Sequence, residues 1–212
     1  MYTGIVQATC ELSFVERKPN LLQFGFCLPE ELSSEVSLGA SIAVNGCCFT
    51  VTSMTPSGQG LEVTFDAIDE TQAITNVKHF KQGSIVNVER SAKQNAEVGG
   101  HVLSGHIVGT AEVSGIERDD NRCRMIFGTA APWLKYVFEK GYIAVNGASL
   151  TVAALDRNAQ TFAINLIPET LERTNFGLLS VGDSVNIEVE SQTQIIVDTV
   201  ERVMAERYGR GH

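Results

Sequence analysis

The sequence predicts a mainly β fold: two tandem antiparallel barrels related by internal duplication, followed by a C-terminal α-helix. Three observations carry this. Residues 1–13 (MYTGIVQATCELS) recur as residues 102–114 (VLSGHIVGTAEVS), an offset of 101 positions without a gap. Residues 42–51 (IAVNGCCFTV) recur at the same offset as residues 143–152 (IAVNGASLTV). At an offset of 99, Glu70-Thr71 and Thr75-Asn76 recur as Glu169-Thr170 and Thr174-Asn175, and Val86-Asn87 with Glu89 recurs as Val185-Asn186 with Glu188. A repeat of this length far exceeds a solenoid unit and can bury a core of its own.

The elements follow in order. Residues 51–54 (VTSM) and 61–65 (LEVTF) alternate around the turn cluster TPSGQG, and residues 84–89 (SIVNVE) and 184–190 (SVNIEVE) alternate as half-buried strands do. Short strands divided by turn signals suggest a small barrel. Two short helices per half are expected. Residues 29–38 and 132–140 open on proline and close before Gly39 and Gly141, the usual asymmetry of helix ends. Residues 70–75 and 169–174 are each followed by an asparagine, Asn76 and Asn175, which is tolerated just past a helix end. Pro168 would sit in the first turn of the latter. The polar stretch 92–100, ending in Gly-Gly, marks the boundary, giving domains 1–97 and 98–190. After Glu190 the repeat stops. Ser191 and Gln194 resemble a capping box, and Ile196, Val200, Val203 and Met204 form an apolar stripe at helical spacing. Residues 191–212 read as a helix and tail whose stripe either packs on its own barrel or joins copies of the chain.

Composition narrows the function. A net charge of −9, with no Lys/Arg run, argues against a nucleic-acid partner, which requires a basic face. No apolar run approaches the roughly 18 residues of a membrane span. Five cysteines (Cys10, Cys27, Cys47, Cys48, Cys123) fall four in the first half and one in the second, so they do not repeat as a disulfide framework would. The start carries neither a basic nor an apolar leader segment. The expectation is reduced thiols in the cytoplasm. Two like halves imply two like pockets, and thus a protein that handles two copies of one small ligand.

The motifs VNGCCFTV (44–51), GGHVLSGH (99–106), VNGASLTV (145–152) and IPETLERTNFG (167–177) stand between MYTGIVQ at the start and QTQIIVDTVERV (192–203) near the end. This ordered set, spanning nearly the whole chain, resembles the riboflavin synthase family of lumazine-binding proteins. The resemblance implies that each half is a six-stranded Greek-key barrel and that the C-terminal helix holds a homotrimer. It further implies a transferase to which two molecules of 6,7-dimethyl-8-ribityllumazine bind, between the N-barrel of one subunit and the C-barrel of its neighbour. A four-carbon unit passes from one to the other, yielding riboflavin and 5-amino-6-ribitylaminouracil without metal or organic cofactor. Lumazine synthase is a further candidate partner.

The resemblance also assigns residues. Cys48 is the first to single out, since its repeat partner is Ser149 and the position stays small and polar. A lone cysteine is otherwise most often core, which is the expectation for Cys47, opposite Ala148 in the repeat and on the other face of a strand. Ser41, repeated as Tyr142, and His101, a proton-transfer or orienting group, complete the catalytic set. The ligand-binding residues are Cys48, Phe49 and Thr50 with the corner Asp66, Ala67, Ile68, Asp69, Glu70 and Thr71, and their counterparts Ser149, Leu150 and Thr151 with the corner Asn165, Leu166, Ile167, Pro168, Glu169 and Thr170. The triplet Gly105, His106 and Ile107 corresponds to Gly4, Ile5 and Val6, and the resemblance implies that both triplets line a ligand site. Lys140 matches a ligand-contacting lysine, and Glu190 stands where relatives carry aspartate. The bland readings are helix capping by Thr or Asp at the corners and dipole compensation by Lys140. Five-residue spacing of His101 and His106 matches no common zinc pattern. Trp133 and Tyr136 are expected in the core.

The chemistry agrees with this reading. The methyl group at C7 of the lumazine is acidic because its anion delocalises into the ring. Holding two rings face to face can supply up to roughly 7–11 kcal/mol, and proton transfer about 10²–10⁴-fold. The alternatives are a non-catalytic lumazine or flavin carrier that has lost features of one half-site, and the flavin-binding barrel of reductases. The latter needs a nucleotide-binding domain, whereas here the second half copies the first.

Overall fold

Alternation along each half becomes two closed barrels in the computed structural model, which describes residues 1–208 apart from Gln59, Gln94, Ala96, Asp120 and Asn121. Residues 209–212 of the expected tail, and Gln94 and Ala96 of the expected boundary, lie outside the described residues. The first barrel contains β1 (Ala8–Lys18), β2 (Leu21–Pro29), β3 (Ser41–Val44), β4 (Cys47–Ser57), β5 (Gly60–Ile68) and β6 (Ile85–Arg90) in the closed antiparallel order 1-2-5-4-3-6. The second contains β7 (Gly109–Asp119), β8 (Arg122–Gly128), β9 (Tyr142–Val145), β10 (Ala148–Asp156), β11 (Thr161–Leu166) and β12 (Ser184–Val189) in the matching order 7-8-11-10-9-12. Register breaks fall at equivalent places, after Leu12 and Val113 and after Val51 and Val152. Such bulges sharpen the bend a small barrel needs to close.

Each barrel fills its own interior. Phe24 stacks on Phe65 and meets Phe49 edge-on, at 5.4 and 5.1 Å between centroids. In the second barrel Phe127 stacks on Phe162 at 5.2 Å, with Trp133 edge-on to Phe162. Trp133 is core as expected. Tyr136 lies at the edge of that core: half-buried, it packs against it while its hydroxyl donates to Asp198 Oδ1 at 2.6 Å.

Three sequence expectations change. The strands at 84–89 and 184–190 are not half-buried. Val86 and Val88 face the core, while Asn87 and Glu89 are buried on the other face, as are Asn186 and Glu188 in the second barrel. The helices expected over 29–38 and 132–140 shrink to a single turn, α1 (Glu30–Ser33), and a 3-10 segment, Pro132–Tyr136. Pro29 ends β2 opposite Gly60. The chain beyond is held to the sheet, Gly39 N–H donating to Val51 O and Lys140 N–H to Val152 O. Finally, α2 (Asp69–Ile74) and α3 (Pro168–Arg173) form where expected, Pro168 included, but Asn76 and Asn175 are not left-handed terminal residues. Each opens a buried 3-10 turn because its N–H is committed to an asparagine of the other half.

The last helix, α4 (Ser191–Tyr208), begins with Gln194 N–H donating to Glu190 O at 3.0 Å. Glu190, not Ser191, therefore occupies the cap position, and its carboxylate accepts the Thr193 hydroxyl. The helix touches its barrel through Lys135, which pairs with Glu201 and Asp198. Ile196, Val200 and Met204 are 62%, 55% and 52% exposed, so the stripe does not pack on its own barrel.

Candidate functional site

The segment leading into each barrel crosses to the other one. Tyr2 and Leu103 pair as an antiparallel bridge, N–H to O at 2.8 and 3.0 Å. Beyond the bridge the segments diverge. Ser149 N–H donates to Gly4 O at 2.8 Å, and Cys48 N–H donates to Gly105 O at 2.9 Å. Val6 then packs against the second core and Ile107 joins the first. The approach demands glycine: φ is +74° at Gly4 and +81° at Gly105, and a Cβ there would lie 2.5 Å from Ser149 Cβ and 2.6 Å from Cys48 Cβ. Both a positive φ and a backbone in contact exclude other residues at low cost.

Two buried carboxylates seat these segments. Glu89 Oε1 accepts the Thr3 N–H at 2.6 Å and hydroxyl at 2.8 Å, and Oε2 accepts Gly4 N–H at 3.2 Å. Glu188 Oε1 accepts the Ser104 N–H and hydroxyl, both at 2.7 Å, and Oε2 accepts Gly105 N–H at 3.0 Å. Burial pushes the Glu89 carboxyl above its ordinary value, and the hydrogen bonds oppose it.

On the same interface six asparagines form a near-symmetric net. Asn87 Nδ2 donates to Asn146 O, and Asn186 Nδ2 to Asn45 O, both at 2.9 Å. Asn76 Nδ2 donates to Asn146 Oδ1 at 3.2 Å, and Asn175 Nδ2 to Asn45 Oδ1 at 3.1 Å. The Asn-Gly turns meet so closely that a Cβ on Gly46 would lie 2.6 Å from Gly147 N. Apart from Asn76 Oδ1, which is buried without a partner among the described residues, the net binds its polar groups across the interface, and buried groups paired in this way rigidify a contact and specify its register.

Two shallow sites result. In the first, Ser41 lies opposite Thr50 across the β3–β4 ladder, and Cys48 shares the face of Thr50. Tyr2, 1% exposed, donates its hydroxyl to Cys48 Sγ at 3.0 Å. Burial, then the thiol, push the Tyr2 phenol far up, so it keeps its proton. Cys47 faces the core as expected, and burial lifts its thiol to about 12. The corner at 66–71 adjoins Thr50, because Val51 pairs with Phe65. Asp66 is held by Gln23 Nε2 at 2.9 Å. His106 is exposed beside buried Gly105.

In the second site, Tyr142 lies opposite Thr151, and Ser149 shares the face of Thr151. The Tyr142 ring stacks on His101 at 5.1 Å and 19°, and His101 Nδ1 is 2.6 Å from Ser149 Oγ. Burial lowers the His101 pKa, with Glu190 opposing, and Nε2 has no partner among the described residues. Burial thus favours the neutral imidazole. Lys140 has φ +64° where its counterpart is Gly39 at +83°. A lysine held left-handed costs about 1–2 kcal/mol, and the backbone bond to Val152 O beside Thr151 keeps it there. The corner at 165–170 adjoins Thr151 through the Val152–Ile164 pair.

The structure thus brings residues 105–107 and the 66–71 corner to Cys48 and Thr50, and residues 4–6 and the 165–170 corner to Ser149 and Thr151, a crossing of the two triplets that the sequence did not assign. Phe49, Ala67, Leu166 and Ile107 are buried and can offer only backbone, whereas Ile5, Thr50, Ile68, His106, Thr151 and Ile167 form exposed rims. At neither corner does a side chain cap the helix: the N-caps are Ile68 and Ile167. Tyr2, Glu89 and Glu188, which contact Cys48, Thr3 and Ser104, are not among the expected residues, although the repeat of Glu89 as Glu188 is visible in the sequence. A cleft of about 900 Å³ adjoins the second site: it runs from Thr3, Ile5 and Glu89 to Lys93, and of the expected residues it shares Ile5. One of about 630 Å³ opens on the asparagine net beside Lys78 and Lys81. No group of three or more His, Cys, Asp or Glu among the described residues could hold a metal ion. No described helix is long and apolar enough to cross a membrane.

Comparison with known proteins agrees with this fold. Residues 3–91 and 104–190 each match the lumazine binding domain. Riboflavin synthase of Escherichia coli (strain K12) is 46% identical over 208 residues, 98% of this chain and 95% of that protein. Riboflavin synthase of Chlamydia pneumoniae is 40% identical, covering 97% and 98%. Among solved structures, LumP complexed with riboflavin superposes with a TM-score of 0.81 at 26% identity, over 90% of this chain and 100% of that one. LumP complexed with 6,7-dimethyl-8-(1'-D-ribityl) lumazine gives 0.79 at 25% identity, with the same coverage.

Proposed function

This chain belongs to the riboflavin synthase family, and from that premise we propose that it joins two molecules of 6,7-dimethyl-8-ribityllumazine, passing a four-carbon unit from one to the other to give riboflavin and 5-amino-6-ribitylaminouracil. The observation that carries this reading is the pair of equivalent sites, Gly105 against Cys48 and Gly4 against Ser149. A reaction between two identical molecules is served by two such sites related by an approximate two-fold. One ring lies over Cys48, Ser41 and Thr50, the other over Ser149, Thr151 and Lys140, with the 66–71 and 165–170 corners reading the pyrimidine edges. The uncapped first turns leave backbone N–H donors for ring carbonyls, in α3 that of Glu169, since Pro168 has none and Thr170 N–H donates to Ile167 O. In the second site His101, neutral and 2.6 Å from the Ser149 hydroxyl, takes or relays the proton from the acidic methyl. Glu190 favours the imidazolium so formed. Tyr2 fixes the Cys48 thiol against the other ring.

The exposed rims leave each ring one uncovered face, which a second copy of the chain would close. The unburied stripe of α4 supports a homotrimer, and the cytoplasm suits the chemistry of a transferase on soluble intermediates. Lumazine synthase is the candidate partner, tested by co-purification.

Mixing the protein with the lumazine should produce riboflavin fluorescence, with two lumazines consumed per riboflavin. Likeness to LumP supports a second reading, a carrier that binds without turnover. Tight binding of lumazine with no riboflavin formed would establish the carrier and reject the enzyme.

A further inference from the structure

We infer that Glu89 and Glu188 are positioning residues that act across the barrel interface: each carboxylate, seated in one barrel, holds the segment that completes the ligand site of the other. The inference rests on the two sites proposed above and adds residues outside both assigned sets. Glu89 stands on β6 of the first barrel and is 4% exposed, yet the residues it binds, Thr3 and Gly4, lead to Ser149 in the second. Glu188 stands on β12 of the second barrel, and the residues it binds, Ser104 and Gly105, lead to Cys48 in the first.

Glycine at φ near +80° is the least restrained of residues, so the carbonyl that meets Ser149 or Cys48 needs an anchor. A carboxylate taking two successive N–H groups and a hydroxyl fixes both peptide planes, and its charge strengthens each bond. The arrangement occurs twice, with the same donors in the same roles: Thr3 hydroxyl, Thr3 N–H and Gly4 N–H in one case, Ser104 hydroxyl, Ser104 N–H and Gly105 N–H in the other. A carboxylate that merely stabilised its own barrel would have its effects there. A positioning carboxylate has them in the opposite one.

Amide hydrogen exchange on the full chain, read by mass spectrometry, separates the two cases. Glu89→Gln should speed exchange of the Ser149 N–H by at least about tenfold, the loss of roughly one charge-assisted hydrogen bond, and leave Cys48 unchanged. Glu188→Gln should do the reverse. Riboflavin titration should follow the same crossing. Protection of Cys48 from iodoacetamide by riboflavin is kept in Glu89→Gln and lost in Glu188→Gln. Glu89→Asp and Glu188→Asp, which keep the charge and withdraw it by one methylene, should give the crossed pattern in weaker form, and they carry the test where a Gln variant does not fold. Exchange that rises in the barrel bearing the substitution, or in both alike, overturns the inference. So does crossed exchange with Cys48 protection unaltered. Wild-type protein that binds no riboflavin would refute the site reading instead, and the exchange pattern would still decide what the carboxylates hold.

Discussion

The two barrels keep one frame and diverge where the ligands are proposed to sit. Strand order, bulges, buried glutamates and interface asparagines are all present in duplicate. Against this, Cys48, Ser41 and Gly39 of the first barrel face Ser149, Tyr142 and Lys140 of the second. The first site takes a phenol from Tyr2 and the second an imidazole from His101. A thiol under a phenol marks the first site, and a hydroxyl beside an imidazole marks the second. Two identical molecules entering this frame meet unlike groups, which a reaction with one donor and one acceptor requires.

The likeness breaks most severely where the barrels touch through glycine. Gly4→Ala and Gly105→Ala combine left-handed strain of about 1–2 kcal/mol with overpacking of about 1–3 kcal/mol. Each should lower stability by roughly 2–5 kcal/mol in urea unfolding, with Gly4→Ala abolishing ligand binding beside Ser149 and Gly105→Ala beside Cys48. Next come the asparagines. Asn45→Ala and Asn146→Ala each strand buried partners and should cost roughly 1–3 kcal/mol. Because the net is shared, the two losses should be equal, and a large difference would show two separate nets.

The second barrel should respond to mild acid through His101. The folded pKa of His101 lies below its ordinary value of 6.5, so the unfolded chain binds the extra proton first. His101 therefore contributes stability that is full above 6.5 and is lost as the pH falls toward its folded value. His101→Gln should flatten the stability profile below that point and slow turnover. The smallest effect is expected at the unlike pair Gly39 and Lys140. Lys140→Gly should add about 1 kcal/mol by relieving a positive φ while weakening riboflavin affinity. Gly39→Lys should lose a similar amount.

Much of this was legible in the sequence because the repeat displays it. The motifs around Cys48 and Ser149, the two corners and the strands they sit on all lie where the duplication implies. What could not be read shares one cause: the partner is in the other half. Nothing local to Asn76 shows that its N–H is 2.6 Å from Asn186 Oδ1, so it passed as a helix-end residue. The polar face of β6 looked solvated because a buried interface and a wet surface both select Asn and Glu. Pro29 looked like a helix start, although its pairing with Gly60 makes it the end of a strand. Tyr2 gave no signal, since its role depends on a sulfur 46 positions away.

The reciprocal loan of leading segments has a consequence for ancestry. A single barrel of this kind lacks the strip of chain that finishes its own binding surface, and a second copy can lend it. Two such copies would swap arms as a homodimer, and fusing their genes would preserve the exchange within one polypeptide. Once fused, neither half could be shed without stripping the other of its arm, whereas side chains on either binding surface remained free to drift apart.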